Sequence, residues 1–156
     1  MTPNVDDRLA SIIRALTEVI LPHLPPEASL AQEQVHLSVG HLQILRAQID
    51  AIPAFEREEL DDAIAVGKAL GGAVSGGAKT GKALTALASS IAAAGSGDVR
   101  ADRKAISNAV ADLVRAVSAD GDAAGKAALS TTILEHEHPR AQKDRLWFAP
   151  FGFDTL

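Results

Sequence analysis

The sequence predicts an all-α protein: a single-domain bundle of about five to six helices, followed by a non-helical aromatic tail. Apolar residues recur three and four positions apart along most of the 156-residue chain, which is the repeat of one helix face. Proline and glycine clusters separate these stretches, and no stretch alternates apolar and polar residues as a half-buried strand does. We therefore predict a helical bundle over residues 1–138 and a tail over residues 139–156, docked on the bundle or on a second subunit.

The first helix is predicted over residues 6–21. Its apolar stripe consists of Leu9, Ile12, Ile13, Leu16, Val19 and Ile20. Asp6 and Asp7 lie at its start, where the helix dipole favours negative charge. Three prolines then end it, and the short loop that they form predicts an antiparallel second helix.

Residues 29–52 are the stretch around which we expect the bundle to be organised. One apolar row contains Ala31, Val35, Ser38, Leu42, Leu45, Ile49 and Ile52, and a second contains Leu30, Leu37, Ile44 and Ala51. Two such rows make a wide apolar arc that needs neighbours on two sides. We therefore predict a central helix roughly 35 Å long, at about 1.5 Å per residue.

A polar row made of Gln34, His41 and Gln48 lies between the two apolar rows. A buried polar side chain without a partner destabilises a protein by about 1–3 kcal/mol. These groups should then bond each other, a neighbouring helix, a water or a ligand. The row is either an interhelical hydrogen-bond network or the ligand-binding lining of a pocket. In both cases we expect His41 to be buried and His36, on the polar face, to be exposed.

Four more helices follow from local start and stop signals. The third begins after Pro53 with the acidic run Glu56–Asp62 and is interrupted by glycine pairs at 71–72 and 76–77. The fourth covers residues 79–94. Asp98 is the predicted N-cap of the fifth, which Gly121 stops. The sixth covers residues 122–137 and ends before Pro139.

The acidic run and two histidine patterns are the candidates for metal binding. The run Glu56–Asp62 marks a helix start, or alternatively a divalent-cation site. Glu33 and His36 have the spacing used by di-iron bundles, but the chain has no second such pair. His136 and His138 lie two residues apart, so on a helix they diverge. We expect no metal and no cofactor at these positions.

The segment from Gly76 to Ala83 resembles a phosphate-binding loop in its spacing. It has the pattern G-x-x-x-x-G-K, but the next position is Ala83 instead of the Ser or Thr that reaches Mg²⁺. A helix precedes it where a phosphate loop has a strand. We interpret the segment as a glycine connection between helices, or as a weak anion site beside Lys79 and Lys82.

The last residues concentrate the aromatic side chains of the chain. Trp147, Phe148, Phe151 and Phe153 include the only tryptophan and three of the four phenylalanines. Exposed aromatic clusters mark contact surfaces. These four residues are therefore predicted to bind a partner surface, either the protein's own bundle, a second copy or another protein.

Composition and charge exclude several classes of function. The net charge is -5, with 11 acids and 4 bases in residues 1–66 and 9 acids and 11 bases in residues 67–156, so neither part has the basic footprint of a nucleic-acid-binding protein. The chain has no cysteine, no basic amino-terminal leader and no window apolar enough to span a membrane. We expect a cytoplasmic protein that contacts neither nucleic acid nor membrane.

The first third of the chain resembles a group of small, uncharacterised bacterial helical proteins. The resemblance lies in RLASIIRALTEVILPHL and SLAQEQVHLSVGHLQIL, about 50 residues without a catalytic motif. Such proteins are associated with genes for acyl-CoA dehydrogenases and aminoglycoside-phosphotransferase-like proteins. The resemblance implies an accessory role in acyl-CoA metabolism and assigns no residue.

Three functions remain open from the sequence. The first is a non-enzymatic interaction or accessory protein that self-associates, with a dimer favoured. The second is a small-molecule or acyl-ligand binder with its pocket at Gln34, His41 and Gln48. The third is a metal-dependent enzyme using Glu33 and His36 or the region of His136 and His138. No nucleophile has a recognisable catalytic setting, so we expect a protein that is not an enzyme.

Overall fold

The computed structural model describes residues 4–95 and 97–152. The described residues form six α-helices: α1 (Val5–Arg14), α2 (Ser29–Gln48), α3 (Ile52–Ala73), α4 (Ala78–Ala93), α5 (Val99–Asp120) and α6 (Ala123–Phe148). These residues contain no β-strand, so the all-α prediction is confirmed. None of the described helices is long and apolar enough to cross a membrane.

The chain divides into two compact units, Met1–Ile52 and Pro53–Leu156. We call the first the hairpin unit. In it, a π-helical segment over 15–20 and a short 3₁₀ turn over 21–23 extend α1. Helix α1 packs against α2, and the guanidinium of Arg46 holds the Asp6 carboxylate through two contacts of 2.5 and 2.9 Å. This pair joins the start of α1 to the end of α2, so the two helices are antiparallel, as the proline loop predicts.

The hairpin unit buries little of its apolar surface. Leu9 and Ile44 are its buried residues among positions 4–52. Leu30 and Leu37, from the second apolar row of α2, are 69% and 48% exposed. Ile44 of the same row is buried, so the prediction that α2 is covered on two sides is wrong for Leu30 and Leu37. A periodic pattern gives the width of an apolar arc, but it does not identify the surface that covers the arc.

The second unit, which we call the four-helix unit, contains the main core. Its buried apolar residues come from α3 to α6 and the connection after α3: Leu60, Leu70, Val74, Leu87, Ile106, Ala109, Leu113, Val117 and Leu129. Helix α5 supplies four of them, Ile106, Ala109, Leu113 and Val117, at helical spacings of three and four residues. Asp98 caps α5 by accepting a hydrogen bond from the Arg100 N–H at 2.9 Å, and the helix ends before Gly121.

Close backbone contact replaces side-chain packing where α6 begins. A Cβ placed on Gly125 would lie 2.0 Å from the carbonyl oxygen of Ser75. Asp122 caps α6 by accepting a hydrogen bond from the Gly125 N–H at 2.6 Å, and the Ser75 hydroxyl donates to the same carboxylate. Only glycine allows the connection after α3 to approach α6 this closely.

Two predicted helix boundaries are wrong. Helix α3 continues through the glycine pair at 71–72, and α6 continues through Pro139 to Phe148. Proline removes one backbone hydrogen bond and crowds the carbonyl four residues earlier, here that of Glu135. Contacts after the proline compensate, because Arg140 and Lys143 pair with acids of α3. The predicted non-helical tail therefore begins as the last three turns of α6 and continues as a 3₁₀ turn over 149–151.

Candidate functional site

The apolar side chains that the hairpin unit leaves exposed form the first candidate surface. Seven large ones have this property among residues 4–52: Val5, Ile12, Val19, Ile20, Leu30, Leu37 and Leu45. Val5, Ile12 and Val19 follow one another at intervals of seven on the first helical arm, and Leu30 and Leu37 do so on α2. We call these residues the hairpin apolar rows. Exposed apolar residues in such a concentration mark an interaction surface.

The predicted polar row of α2 lies largely in solvent. Gln34 and His41 are exposed and Gln48 is half-buried. The expectation that His41 is buried is therefore wrong, whereas His36 is exposed as expected. The half-buried residues of α2 include Val35, Val39 and Leu42. The polar row therefore lies largely outside the face of α2 that packs. A ligand-binding role of Gln34, His41 and Gln48 stays a prediction.

Metal ligands do not converge in the described part of the chain. Residues 4–95 and 97–152 contain no group of three or more His, Asp or Glu side chains that could hold a metal ion. Glu33 and His36 lie on the exposed side of α2, and the acidic run Glu56–Asp62 meets basic side chains. The acids also lie beyond the first turn of α3, which begins at Ile52.

The segment that resembles a phosphate loop already holds an anion from its own chain. The carboxylate of Asp120 accepts hydrogen bonds from the Lys79 N–H at 2.6 Å and the Thr80 N–H at 3.0 Å. The Thr80 hydroxyl, which is fully buried, donates to the same carboxylate at 2.6 Å. These donors, that of the Thr80 hydroxyl most of all, hold the pKa of Asp120 below its usual range. The amino-terminal end of α4 is thus an anion site whose anion is Asp120.

The second candidate site is a cleft of about 910 Å³ between α3, α5 and α6 of the four-helix unit. Its lining includes five basic side chains, Arg100, Arg103, Lys104, Arg140 and Lys143, and three acidic ones, Glu59, Asp62 and Glu137. His136, which the sequence placed among the metal candidates, also lines it, together with apolar residues of α3 and α5. We call it the basic cleft.

A buried carboxylate holds three of these cations together. Glu59 is 5% exposed. Its Oε2 lies 3.1 Å from Arg103 Nη1 and 3.5 Å from Arg140 Nε, and its Oε1 lies 2.9 Å from Lys143 Nζ. The Lys143 contact is an ion pair without a well-aligned hydrogen bond, and the ammonium also donates to Asp62. A buried charge requires such partners, because desolvation without them is unfavourable by several kcal/mol.

Charge pairing decides the protonation of this cluster. Burial raises the pKa of Glu59, but Lys143, Arg140 and Arg103 together outweigh it and hold the pKa below the ordinary value. Burial lowers the pKa of Lys143, and its contacts with Asp62 and Glu59 outweigh that effect and raise it. Both shifts favour the charged forms of Glu59 and Lys143.

The aromatic end of α6 packs on the protein's own α3. The rings of Trp147 and Phe55 lie 4.3 Å apart between centroids and are tilted by 31°. Lys143 Nζ lies 5.3 Å from the centroid of the Phe55 ring. Phe148 is 43% exposed and Phe151 is half-buried, while Phe153 lies outside the described residues. Of the residues predicted to bind a partner surface, Trp147 thus contacts its own bundle.

The basic cleft is not among the sites predicted from the sequence. Two signals for it are present: Arg100, Arg103 and Lys104 share one face of α5, and Arg140 and Lys143 share one face of α6. Glu59 pairs with Arg103 of the first group, 44 residues away in the chain, and with Arg140 and Lys143 of the second, whereas Arg100 pairs with Glu56. That separation makes the cluster a product of tertiary packing.

Comparisons with protein-family models, with curated proteins and with solved structures find no match to this chain. The geometry of these two sites therefore carries the functional argument.

Proposed function

We propose that the protein is a non-enzymatic, cytoplasmic interaction module of the accessory kind, which forms a homodimer through its hairpin unit. The observation that carries this proposal is the set of hairpin apolar rows. Seven large apolar side chains are exposed in a segment of about 50 residues whose described part buries only Leu9 and Ile44. A core that small does not stabilise a helical hairpin by itself, because short chains bury too little surface.

A second copy is the partner that best suits these rows. Each helix carries one exposed apolar pair seven residues apart, Val5 and Ile12 in α1 and Leu30 and Leu37 in α2, which is the spacing of helices that pair along a seam. A two-fold partner presents the same rows over the same length, so its pattern is complementary by construction. In such a dimer, four helices from two hairpins would cover the apolar arc of α2, part of which stays exposed when α1 is its only neighbour.

The dimensions of the hairpin agree with a dimer of ordinary size. A 20-residue helix is about 30 Å long and about 10 Å wide, so two helices side by side present a footprint of roughly 600 Å². Specific interfaces bury about 800 Å² of accessible surface from each partner. Both arms together approach this size, whereas α2 alone provides about half of the footprint.

The decisive experiment compares Leu37→Glu in the full-length chain with the control Leu134→Glu. Leu134 is an exposed leucine of α6, 71% accessible, and both positions are helical. We expect the wild type to sediment as a dimer whose Tm rises with protein concentration. Leu37→Glu should weaken the dimer by at least about thirtyfold, and Leu134→Glu should leave it intact.

Two results would overturn the proposal. One is a wild type that is monomeric at every concentration, with a constant Tm, which would mean that the rows are covered within the chain or bind another protein. The other is an equal loss of association in both variants, which would indicate a general effect of the added charge.

A further inference from the structure

The basic cleft has the size and the mixed lining of a small-molecule site. Ligand sites in proteins have volumes of about 300–1,000 Å³ and combine apolar walls with a few polar groups. The volume of this cleft, about 910 Å³, lies within that range. Ala63 and Val66 of α3 and Val110 of α5 give it an apolar wall, and the basic side chains give it a charged one.

The lining carries five basic side chains and three carboxylates. Two further acids pair with it from outside, Glu56 with Arg100 at 2.6 Å and Asp144 with Arg140 at 3.9 Å. Among the described residues, Lys104 is then the basic side chain of the lining without an acidic partner, and Glu59 is shared among three cations. Arg103 contacts Glu59 through Nη1 alone, although a guanidinium has five N–H donors. Its side chain is also 44% exposed, so donors remain available at the cleft for a second acceptor. Lys104, one residue further along α5, adds another charge to the lining.

The cluster is organised before any ligand arrives. Glu59 fixes Arg103, Arg140 and Lys143, and Phe55 contacts the Lys143 ammonium as well. Binding to side chains that are already ordered loses less conformational entropy than binding to free ones. The acids of the cleft are paired with these cations, so the donors that remain favour an anion over a metal ion.

We propose that the basic cleft binds a small organic anion, with a carboxylate or phosphate head beside the basic residues and a short aliphatic body against Ala63, Val66 and Val110. This site is separate from the hairpin apolar rows, so it goes beyond self-association. Guanidinium groups recognise both head groups through paired N–H donors. The apolar wall distinguishes an organic anion from an inorganic one.

Binding to the full-length protein can be measured by titration calorimetry with four probes: hexyl phosphate, hexanoate, inorganic phosphate and hexylamine. We expect the first two to bind and the amine not to bind. Inorganic phosphate should bind at least about tenfold more weakly than hexyl phosphate, because it buries no methylene groups. Affinity should fall with added salt, since partly exposed charges are screened.

Two pairs of variants assign the site. Lys104→Gln should weaken binding of hexyl phosphate by about fivefold to tenfold, while Lys126→Gln, an exposed lysine of α6 outside the cleft, should not change it. Glu137→Gln should strengthen binding by a similar factor, because it removes a negative charge and releases the Arg140 Nη1 donor, which it holds at 2.9 Å. Glu135→Gln is its control. These four residues are exposed, so the fold should survive each change.

Several outcomes would contradict this assignment. Absence of saturable binding by hexyl phosphate and hexanoate would remove the site. Equal affinity for inorganic and hexyl phosphate would leave a simple anion site without the organic component. Equal effects of Lys104→Gln and Lys126→Gln, or of Glu137→Gln and Glu135→Gln, would place the binding elsewhere on the surface. None of these results depends on whether the hairpin unit dimerises.

Discussion

Thr80 and Asp120 are joined by two hydrogen bonds, although 40 residues separate them in the chain. The Thr80 N–H and hydroxyl both donate to Asp120 Oδ1, at 3.0 and 2.6 Å. Asp120 is the last residue of α5, and Thr80 lies in the first turn of α4. One carboxylate thus caps the start of a helix and ties it to the end of another.

Removal of the Thr80 hydroxyl should destabilise the four-helix unit without changing its shape. Thr80→Val keeps the volume and leaves Asp120 with its two backbone donors. We expect the free energy of unfolding to fall by about 1 kcal/mol, the net value of one such hydrogen bond. Urea denaturation measures it, and Thr85→Val is the control, since that exposed hydroxyl donates only to a backbone carbonyl within α4. Equal stabilities of the two variants would show that the Asp120 contact contributes nothing.

The Glu59 cluster should give the protein a specific acid sensitivity. Because the folded pKa of Glu59 lies below its ordinary value, its pairing stabilises the fold fully above that value, and this stabilisation is lost as the pH falls through the folded pKa. We expect Glu59→Gln to lower the free energy of unfolding by about 1–3 kcal/mol near neutral pH. The loss is moderate because the three cations remain partly in solvent.

The difference between wild type and Glu59→Gln should then shrink as the pH is lowered, since a protonated Glu59 resembles the amide. The pKa values of Asp6, Asp120 and Asp122 are also lowered, by their hydrogen bonds, so both proteins lose stability in acid. Only the difference reports Glu59. A difference that stays constant from neutral to acid pH would contradict the pKa assignment.

The contact between Trp147 and Phe55 can be followed by fluorescence, because Trp147 is the only tryptophan. We expect Phe55→Ala to shift its emission to longer wavelength by admitting water. Trp147→Ala should lower the free energy of unfolding by about 1–3 kcal/mol, less than for a fully buried tryptophan. Phe148→Ala, at an exposed position, should change stability by less than about 0.5 kcal/mol. If Phe148→Ala instead abolishes association, the aromatic end of α6 belongs to the dimer interface.

The glycine at the start of α6 should tolerate no side chain, unlike a glycine in α3. Gly125→Ala places a methyl group on the Ser75 carbonyl, and we expect it to destabilise the unit by at least about 3 kcal/mol. Nothing lies within 4 Å of a Cβ placed on Gly71. Gly71→Ala should therefore stabilise α3 by about 0.5–1 kcal/mol. Thermal unfolding distinguishes the two, and a stable Gly125→Ala protein would contradict the close contact.

The parts of the fold that depend on residues close together in the sequence were predictable, and α5 illustrates this. Its N-cap at Asp98 and its stop at Gly121 each rest on a local rule, and both are confirmed. In α6 the same rules placed the end at Pro139. They failed because acids of α3, which is far away in the sequence, pair with Arg140 and Lys143 and stabilise the turns that follow the proline.

The candidate sites show the same difference between local patterns, which the sequence reveals, and long-range packing, which it does not. The apolar rows of α2 were visible as a pattern, but their exposure was not, since exposure depends on what packs beside the helix. The basic residues of the cleft were visible as groups on the faces of α5 and α6. Glu59, the common partner of Arg103, Arg140 and Lys143, could not be distinguished from the other acids of the run Glu56–Asp62. The spacing near Lys79 left open a glycine connection or a weak anion site, and the structure shows the Asp120 carboxylate bonded to the N–H groups of Lys79 and Thr80.

The extensive contact between α4 and α5 has a kinetic consequence. These helices are the most closely associated pair in the described chain, and only residues 94–98 connect them, with the Gly95 N–H donating to Asp102 at 2.8 Å. Closing a short loop loses less conformational entropy than closing a long one, and chains rich in local contacts fold fast. This pair should therefore form early, so that substitutions at Leu87 slow refolding while those at Leu129 mainly accelerate unfolding.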